Sequence, residues 1–279
     1  MKKGWRNFWI VCGIVAGTGV ICLAAGKTLG ATWSVVGSHF PEWIGFGKNH
    51  SAEVYDYREE AQEADTEQVY ENVRSLKVDT EGLYVQILKT DNPEITVKTE
   101  DIYSALGFVV TEQNGELELE TTARRFPWKL NGSRCGNVWI YLPEEYTLEE
   151  AELQTGMGEL YVETICADQL KLEVGAGSAT VDWFDTDVLD AEVGVGQLEI
   201  SGNTKQKGEL ECGVGSLAYT ASGDRKDFNY ELECGVGELL IGEEEYSGLS
   251  VEKKINNGAQ KELKISCDVG STVLSFGEN

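Results

Sequence analysis

A ten-residue phrase built around two glycines recurs through the second half of this 279-residue chain. An apolar, a charged and an apolar residue precede Gly-x-Gly, and a polar residue with alternating apolar positions follows it. The copies read LQTGMGELYV, LEVGAGSATV, AEVGVGQLEI, LECGVGSLAY, LECGVGELLI and a degraded ISCDVGSTVL. The first glycines of the five intact copies are 19, 19, 19 and 22 residues apart. Fixed self-similarity near 20 residues indicates a stacked repeat architecture.

The alternation inside each copy predicts two short strands joined by a glycine corner. Apolar and polar positions alternate with a period of two on both sides of Gly-x-Gly, which is typical of strands and not of helices. One copy cannot bury its apolar positions, such as Leu172, Val174, Ala179 and Val181, without a neighbouring copy. We therefore predict an all-β fold: a single-stranded parallel β-solenoid (β-helix) whose rungs of about 19–22 residues stack about 4.8 Å apart.

The corner glycines are predicted to have a structural role. A tight corner needs either a positive φ or a close backbone approach that a Cβ would block. The ten glycines concerned are Gly156, Gly158, Gly175, Gly177, Gly194, Gly196, Gly213, Gly215, Gly235 and Gly237. Gly-x-Gly is also a fragment of nucleotide-binding loops, but no helical pattern follows it here and it recurs five times. A phosphate site is therefore disfavoured.

An uncharged run near the N-terminus predicts a membrane anchor. Residues 8–26 (FWIVCGIVAGTGVICLAAG) would span about 28 Å as a helix, which matches the hydrocarbon core of a bilayer. Three basic residues precede this run, and the sequence after it carries a net charge of −28. The positive-inside rule then places the N-terminus in the cytoplasm and the C-terminal domain outside the cell membrane. A cleaved signal peptide is the alternative, although the run is longer than a usual h-region and no A-x-A site closes it.

Composition divides the chain into four segments. A cytoplasmic stub (1–7) and a transmembrane helix (8–26) come first, followed by a juxtamembrane and acidic linker (27–70) and then the β-solenoid domain (71–279). Residues 73–150 show a less regular strand signal, and we interpret them as first rungs that also cap the stack. Their basic loop, TTARRFPWKLNGSRCGN, either folds over the end of the stack or forms a contact patch for an anionic glycan or lipid.

Three passages resemble a known family. They are SLKVDTEGLYVQIL, NVWIYLPEEYTLEEAELQTGMGELYV and KELKISCDVGSTVLSF, and with the N-terminal anchor they resemble the bacterial β-strand-repeat domain of unknown function labelled "putative adhesin". The resemblance covers roughly residues 70–276. It implies a membrane-anchored β-helical envelope protein of Gram-positive type, sometimes linked to envelope stress, and it supplies no catalytic residue.

The outward-facing positions of the repeat predict an acidic face. Two residues before the first glycine, stacking places Glu173, Glu192, Glu211 and Glu233 in one file. A second, mostly acidic file stands four residues before the glycine and contains Glu152, Lys171, Asp190, Glu209, Glu231 and Lys264. Neighbouring carboxylates about 4.8 Å apart repel by roughly 0.9 kcal/mol in water before salt screening.

We hypothesise that the first file collects divalent cations, since carboxylate oxygens suit these hard ions. The alternative is a solvated face that keeps the protein soluble. Asp182, Asp185 and Asp187 form a second candidate cluster, which turn aspartates explain equally well. No other cofactor is expected.

Three cysteines occupy one position of the repeat, immediately before the first glycine. Cys212, Cys234 and Cys267 should form a buried column of small apolar side chains. Neighbouring rungs bring such residues within disulfide range, but in-register stacking gives poor torsion geometry, which favours reduced thiols.

Composition and motifs disfavour two classes of function. A net charge of −25 disfavours nucleic acid as a partner, because phosphate binding needs a basic face. The repeat region has no histidine, G-x-S-x-G, H-E-x-x-H or P-loop pattern, so we do not expect an enzyme, although some parallel β-helices are polysaccharide-active. We expect an adhesion or scaffold module that binds a cell-envelope component or a cationic partner. The alternative is an envelope-stress or regulatory accessory that acts through its membrane helix.

Overall fold

The structure is a computed structural model and describes residues 65–122, 135–246 and 250–277. Strands dominate these residues, and the all-β prediction is confirmed. The predicted membrane helix, residues 8–26, and most of the predicted linker lie outside the described residues. Within the three described ranges, no helix is both long enough and apolar enough to cross a bilayer.

Nineteen strands form one sheet over these ranges. Strands β1 to β9 are Thr66–Tyr70, Ser75–Thr80, Tyr84–Thr90, Ile95–Glu100, Phe108–Gln113, Glu116–Thr121, Asn137–Pro143, Thr147–Thr155 and Glu159–Val162. Strands β10 to β19 are Ile165–Val174, Ser178–Val193, Gln197–Cys212, Ser216–Ser222, Phe228–Cys234, Glu238–Ile241, Glu244–Glu245, Val251–Ile255, Lys261–Cys267 and Ser271–Gly277. Two 3-10 helices, Ser104–Leu106 and Arg225–Asp227, complete these elements.

Two parallel ladders run through the stack, one on each side of the glycine corners. The first ladder holds the strands before the corners, in the order β6, β2, β8, β10, β11, β12, β18 and β14. The second ladder holds the strands after the corners, in the order β7, β3, β9, β11, β12, β13, β19 and β15. The long strands β11 and β12 contribute to both ladders. One strand from each ladder and the connection between them make a rung.

The rungs do not follow the order of the chain at either end of the stack. Rung β2–β3 comes first in the sequence, yet it lies between rungs β6–β7 and β8–β9. Rung β18–β19 is the last described, yet it lies between rungs β12–β13 and β14–β15. The predicted parallel, in-register stacking of the copies is thus confirmed. A β-solenoid also implies rungs that follow one another in chain order, and this expectation is wrong at both ends of the stack.

Antiparallel strands close both ends of the stack. At one end β5 pairs with β6, β4 pairs with β7, and β1 pairs with β4. At the other end β17 pairs with β14, and β16 pairs with β15. Strand β1 starts at Thr66, inside the stretch predicted as linker. Because an open parallel edge would be a template for further pairing, these added strands terminate the stack.

The core lies between the two ladders, in columns of apolar side chains. Leu172, Val174, Ala179 and Val181 are all buried, as the alternation predicts. Within the core, the ring centroids of Phe184 and Tyr219 lie 5.5 Å apart. The inward face of each rung therefore contributes to one continuous apolar interior.

The corner glycines are required by close approach between rungs. A Cβ on Gly196, the second glycine of its corner, would lie 2.2 Å from the carbonyl oxygen of Gly177 in the adjacent rung. A Cβ on the first glycine, Gly194, would lie 3.1 Å from the Gly175 carbonyl oxygen. None of the ten predicted corner glycines, all within the described ranges, has a φ in the left-handed region. Of the two reasons considered from the sequence, the close approach is the one that applies.

Candidate functional site

The predicted acidic file lies on the outward side of the first ladder, just before the corners. Glu173, Glu192 and Glu211 are Cα partners on three successive rungs. Glu233 is not next to Glu211, because the last rung in sequence places Ser266 between them. The file thus contains three consecutive glutamates and a fourth that is separated from them. We call Glu173, Glu192, Glu211 and Glu233 the acidic file.

The neighbouring file, two residues earlier on each strand, alternates in charge. We call it the mixed file, and its members in spatial order are Glu118, Lys77, Glu152, Lys171, Asp190, Glu209, Lys264, Glu231 and Lys254. Only Asp190 and Glu209 are like-charged neighbours in this order. The six residues predicted for the second file all lie in it, but the rung order inserts Lys264 between Glu209 and Glu231. Lys77 and Lys254 extend the file, so opposite charges are neighbours almost throughout.

Ion pairs follow the mixed file along the stack. The Nζ to Oε1 distances are 2.8 Å for Lys77–Glu118, 2.9 Å for Lys171–Glu152, 2.6 Å for Lys264–Glu209 and 2.7 Å for Lys254–Glu231. These side chains are exposed to solvent, which screens their charges, so each pair contributes little to the free energy of folding. The hydrogen bond from Lys264 lowers the pKa of Glu209.

The pKa of two carboxylates is raised where the two files place acidic residues side by side. Partial burial raises the pKa of Asp190, and the neighbouring charge of Glu209 raises it further. Partial burial also raises the pKa of Glu211, with added repulsion from Glu209 and Glu192. The charged forms of Asp190 and Glu211 are therefore disfavoured relative to a fully solvated carboxylate.

The carboxylates do not converge into a chelating site. Within the described part of the chain, no group of three or more His, Cys, Asp or Glu side chains could hold a metal ion. Lys171 Nζ lies 3.8 Å from Glu173 Oε2, so the end of the acidic file is partly neutralised. The file is a row of separate carboxylates, and a cation there would need oxygen ligands from elsewhere.

The second candidate cluster is divided among partners on neighbouring rungs. The Tyr161 hydroxyl donates to Asp182 over 2.6 Å, and the Gln206 amide donates to Asp187 over 2.8 Å. Asp185 pairs with Lys205. The three aspartates thus serve contacts between rungs.

The cysteine column forms as predicted, in the spatial order Cys212, Cys267, Cys234. All three side chains are buried and all three thiols are free. Burial raises the pKa of the Cys212 and Cys234 thiols, which keeps them protonated and weakly nucleophilic. We assign this column to packing.

The sequence reasoning passed over the middle residue of each corner. This position is apolar in every copy, yet it projects away from the core. In spatial order it is Met157, Ala176, Val195, Val214, Val269 and Val236. The sequence does contain a signal for this surface: the position is apolar in every copy although a corner faces solvent, and core packing does not explain that recurrence. The basic loop, by contrast, falls mostly within residues 123–134, outside the described residues.

Stacked parallel rungs, glycine corners and antiparallel closing strands define a repeat β protein that presents long outward files of side chains. The chain belongs to the Toastrack DUF4097 family, whose model matches residues 73–222, more than half of the chain. The resemblance noted from the sequence is confirmed. Among curated proteins, none matches the chain.

Solved structures to which the chain is similar carry names that concern adhesion or lipid binding. A "putative cell adhesion protein" from Clostridium sporogenes is 15% identical, with a TM-score of 0.43, covering 76% of this chain and 99% of its own. A "putative adhesin" from Bacteroides fragilis is 13% identical, with a TM-score of 0.41 and coverages of 75% and 96%. A "Putative lipid binding protein" from Parabacteroides distasonis is 12% identical, with a TM-score of 0.34 and coverages of 74% and 96%. None of these three is named as an enzyme.

Proposed function

We propose that this protein is a non-catalytic binding module of the cell envelope, held at the membrane by residues 8–26 with its β domain outside the cell. The acidic file is the observation that carries the proposal. Three glutamates on successive rungs repeat one chemical group at the spacing of the backbone, and this periodicity suits an extended partner better than a small substrate.

The partner of the acidic file is a cationic group or an envelope component bridged by divalent cations. Because the carboxylates do not chelate a metal by themselves, a bridging cation would complete its coordination with water and with oxygen atoms of the partner. An anionic wall polymer is thereby compatible with a chain whose net charge is −25.

The test is retention on purified Gram-positive cell walls, with the full-length chain in zwitterionic nanodiscs. We expect retention that rises with calcium at constant ionic strength and falls at least about fivefold in the Glu192→Gln/Glu211→Gln variant, because two adjacent charges of the file are lost. A matched control, Glu67→Gln/Glu112→Gln, removes two exposed carboxylates outside the file and should bind as the wild type does.

Equal retention of both variants would overturn the proposal. An exchange of residues 8–26 for an unrelated membrane helix provides the second comparison. A binding module keeps its retention after this exchange, whereas an accessory that acts through its own anchor loses its function.

A further inference from the structure

An exposed apolar ridge runs along the corner edge of the stack. Val195, Val214, Val269 and Val236 are 58–66% exposed, and Met157 is 43% exposed. Of the seven exposed large apolar side chains in the described ranges, five lie on this ridge. Scattered exposed valines are normal, but a row of them at one repeat position indicates a contact surface. We call Met157, Ala176, Val195, Val214, Val269 and Val236 the corner ridge.

Backbone hydrogen bonds keep the corner ridge in register. The amide of Val214 donates to the Gly194 carbonyl over 2.8 Å, and the amide of Val269 donates to the Gly213 carbonyl over 2.9 Å. With about 4.8 Å between rungs, the six side chains form an in-register row about 24 Å long. A rigid row of this length presents its side chains without an ordering cost on binding.

The two sides of the corner ridge differ in charge. On one side lies the acidic file, at four of the six corners, with Gln154 and Ser266 at the same position of the other two. On the other side, four consecutive rungs carry neutral polar residues at the equivalent outward position, namely Ser178, Gln197, Ser216 and Ser271. Glutamates on that side, Glu159 and Glu238, stand only at the two ends of the ridge. An apolar row with carboxylates along one side is complementary to an apolar stripe with basic residues along one side.

We infer that the corner ridge and the acidic file together form a docking surface for a basic amphipathic helix of a partner protein. This inference rests on the proposed function and names the partner class for the same face. The apolar stripe of a helix advances about 5.4 Å per turn, close to the rung spacing, and about 16 residues cover 24 Å. Lysine or arginine beside that stripe reaches Glu173, Glu192 and Glu211.

Charge decides against the other occupants of such a ridge. A second copy of this chain brings another −25 charges to the interface, and an anionic membrane surface repels the acidic file. A basic helix neutralises the carboxylates of the file while it covers the valines.

The test uses the full-length chain in zwitterionic nanodiscs without divalent cations. The probe is a fluorescein-labelled 16-residue amphipathic helix of leucine and lysine, and binding is followed by fluorescence anisotropy. We expect the Val195→Ser/Val214→Ser/Val269→Ser variant to bind about tenfold more weakly, because three apolar contacts are lost. Val69→Ser/Val109→Ser, which changes two exposed valines away from the corner ridge, should leave the affinity unchanged. Lipid binding of the probe cancels, since all variants share the same nanodisc.

Two further comparisons make the result independent of any loss of folding. Val214→Lys places a positive charge on the ridge, which repels the lysines of the peptide, and should also weaken binding about tenfold. A permuted peptide of the same composition but without amphipathic periodicity should bind about tenfold more weakly to the wild type.

Three outcomes overturn the inference. The first is that the ridge variants bind the peptide as tightly as the wild type does, and the second is that the permuted peptide binds the wild type as tightly as the amphipathic peptide does. The third outcome is a wild-type dimer that the triple substitution dissociates. If wall retention still depends on Glu192 and Glu211 in any of these cases, the proposed function stands and only the helix partner is wrong.

Discussion

The middle of the stack and its two ends are built by different rules. In the middle, from β8 to β13, each rung is followed in space by the next rung of the chain. At both ends the outermost rung and its inner neighbour have exchanged places relative to the chain. The mixed file reflects this difference. Its one pair of like-charged neighbours, Asp190 and Glu209, lies in the middle, whereas at the ends all neighbours in the file have opposite charges.

Charge in the mixed file favours the exchanged order at the ends. Winding in chain order would place Glu209 beside Glu231, whereas the exchange inserts Lys264 between them. The same holds at the other end, where Lys77 separates Glu118 from Glu152. Replacing one repulsive neighbour by an attractive one lowers the Coulomb energy of the exchanged order, and solvent and salt screen part of this gain because the side chains are exposed. Local hydrophobic pattern thus builds the rungs, and charge contributes to their order.

Cross-linking offers the largest effect, because its result is nearly all or none. With cysteines in place of Glu211 and Ser266, which are Cα partners on the outward side, oxidation should form a disulfide. The reason is that an oxidant reaches these positions and core packing does not fix their side-chain torsions as it does in the buried cysteine column. With cysteines in place of Glu211 and Glu233, no disulfide should form, because two rungs span about 10 Å and exceed the Cα reach of a disulfide. Mass spectrometry of unreduced peptides reads out both variants.

A third pair, at Ser266 and Glu233, is adjacent in either order and serves as the positive control. The parent chain, whose native column is buried, gives the background. If the Glu211 and Glu233 positions cross-link and the Glu211 and Ser266 positions do not, the ends wind in chain order and the comparison fails.

Corner glycines give the next largest effect and test whether the exchanged rungs stack as closely as the middle ones. Gly196→Ala directs a Cβ to 2.2 Å from the Gly177 carbonyl oxygen, and Gly270→Ala directs one to 2.3 Å from that of Gly215. We expect each to lower the free energy of unfolding by about 3 kcal/mol or more, since backbone must move. Urea denaturation measures the change in the free energy of unfolding for each variant.

The matched control is Gly194→Ala, whose Cβ would lie 3.1 Å from the nearest carbonyl oxygen. Gly194 is the first glycine of its corner, and the last copy has Asp268 at that position, so a side chain is tolerated there. Gly194→Ala should cost about 1 kcal/mol or less. A mild Gly270→Ala beside a severe Gly196→Ala would show that the exchanged rung is packed more loosely.

Two neighbours in the mixed file give the smallest effects, with opposite signs. The pKa of Asp190 is raised by burial and then by Glu209, so its charge opposes folding. Its contribution becomes more favourable as the pH falls through its folded pKa, and Asp190→Asn should stabilise the protein by a few tenths of a kcal/mol at pH 7.

The pKa of Glu209 is lowered by the hydrogen bond from Lys264, so its contribution is present at pH 7 and lost as the pH falls through its folded pKa. Glu209→Gln should therefore destabilise by a few tenths of a kcal/mol. Thermal unfolding from pH 7 to pH 4 at matched ionic strength measures both variants. Shifts of the same sign would contradict the assigned environments.

The repeat allowed much of one rung to be predicted from the sequence. The two-residue alternation identified the inward columns, and the recurrence of Gly-x-Gly identified the corners. The members of the acidic file were also identified, because the outward position follows from the alternation. These inferences depend on local pattern, which every copy repeats.

The order of the rungs could not be predicted in the same way. Similar copies offer similar ladders to one another, so periodicity alone does not decide whether Cys212 stacks on Cys234 or on Cys267. That decision depends on contacts distant in sequence, such as Lys264 with Glu209. The corner ridge was not predicted for another reason: a single residue between two glycines has no alternating neighbours, so the period of two does not determine whether its side chain points inward or outward.

The exchanged ends also determine how the stack resists force. Strand β2 is held between β6 and β8, and strand β18 is held between β12 and β14. At the N-terminal end of the described residues β1 pairs with β4 and detaches first, after which tension must shear β2 from two neighbours at once. At the C-terminal end β19 lies between β13 and β15, so tension must shear it from two neighbours from the start. An outermost rung wound in chain order would instead peel away from one neighbour.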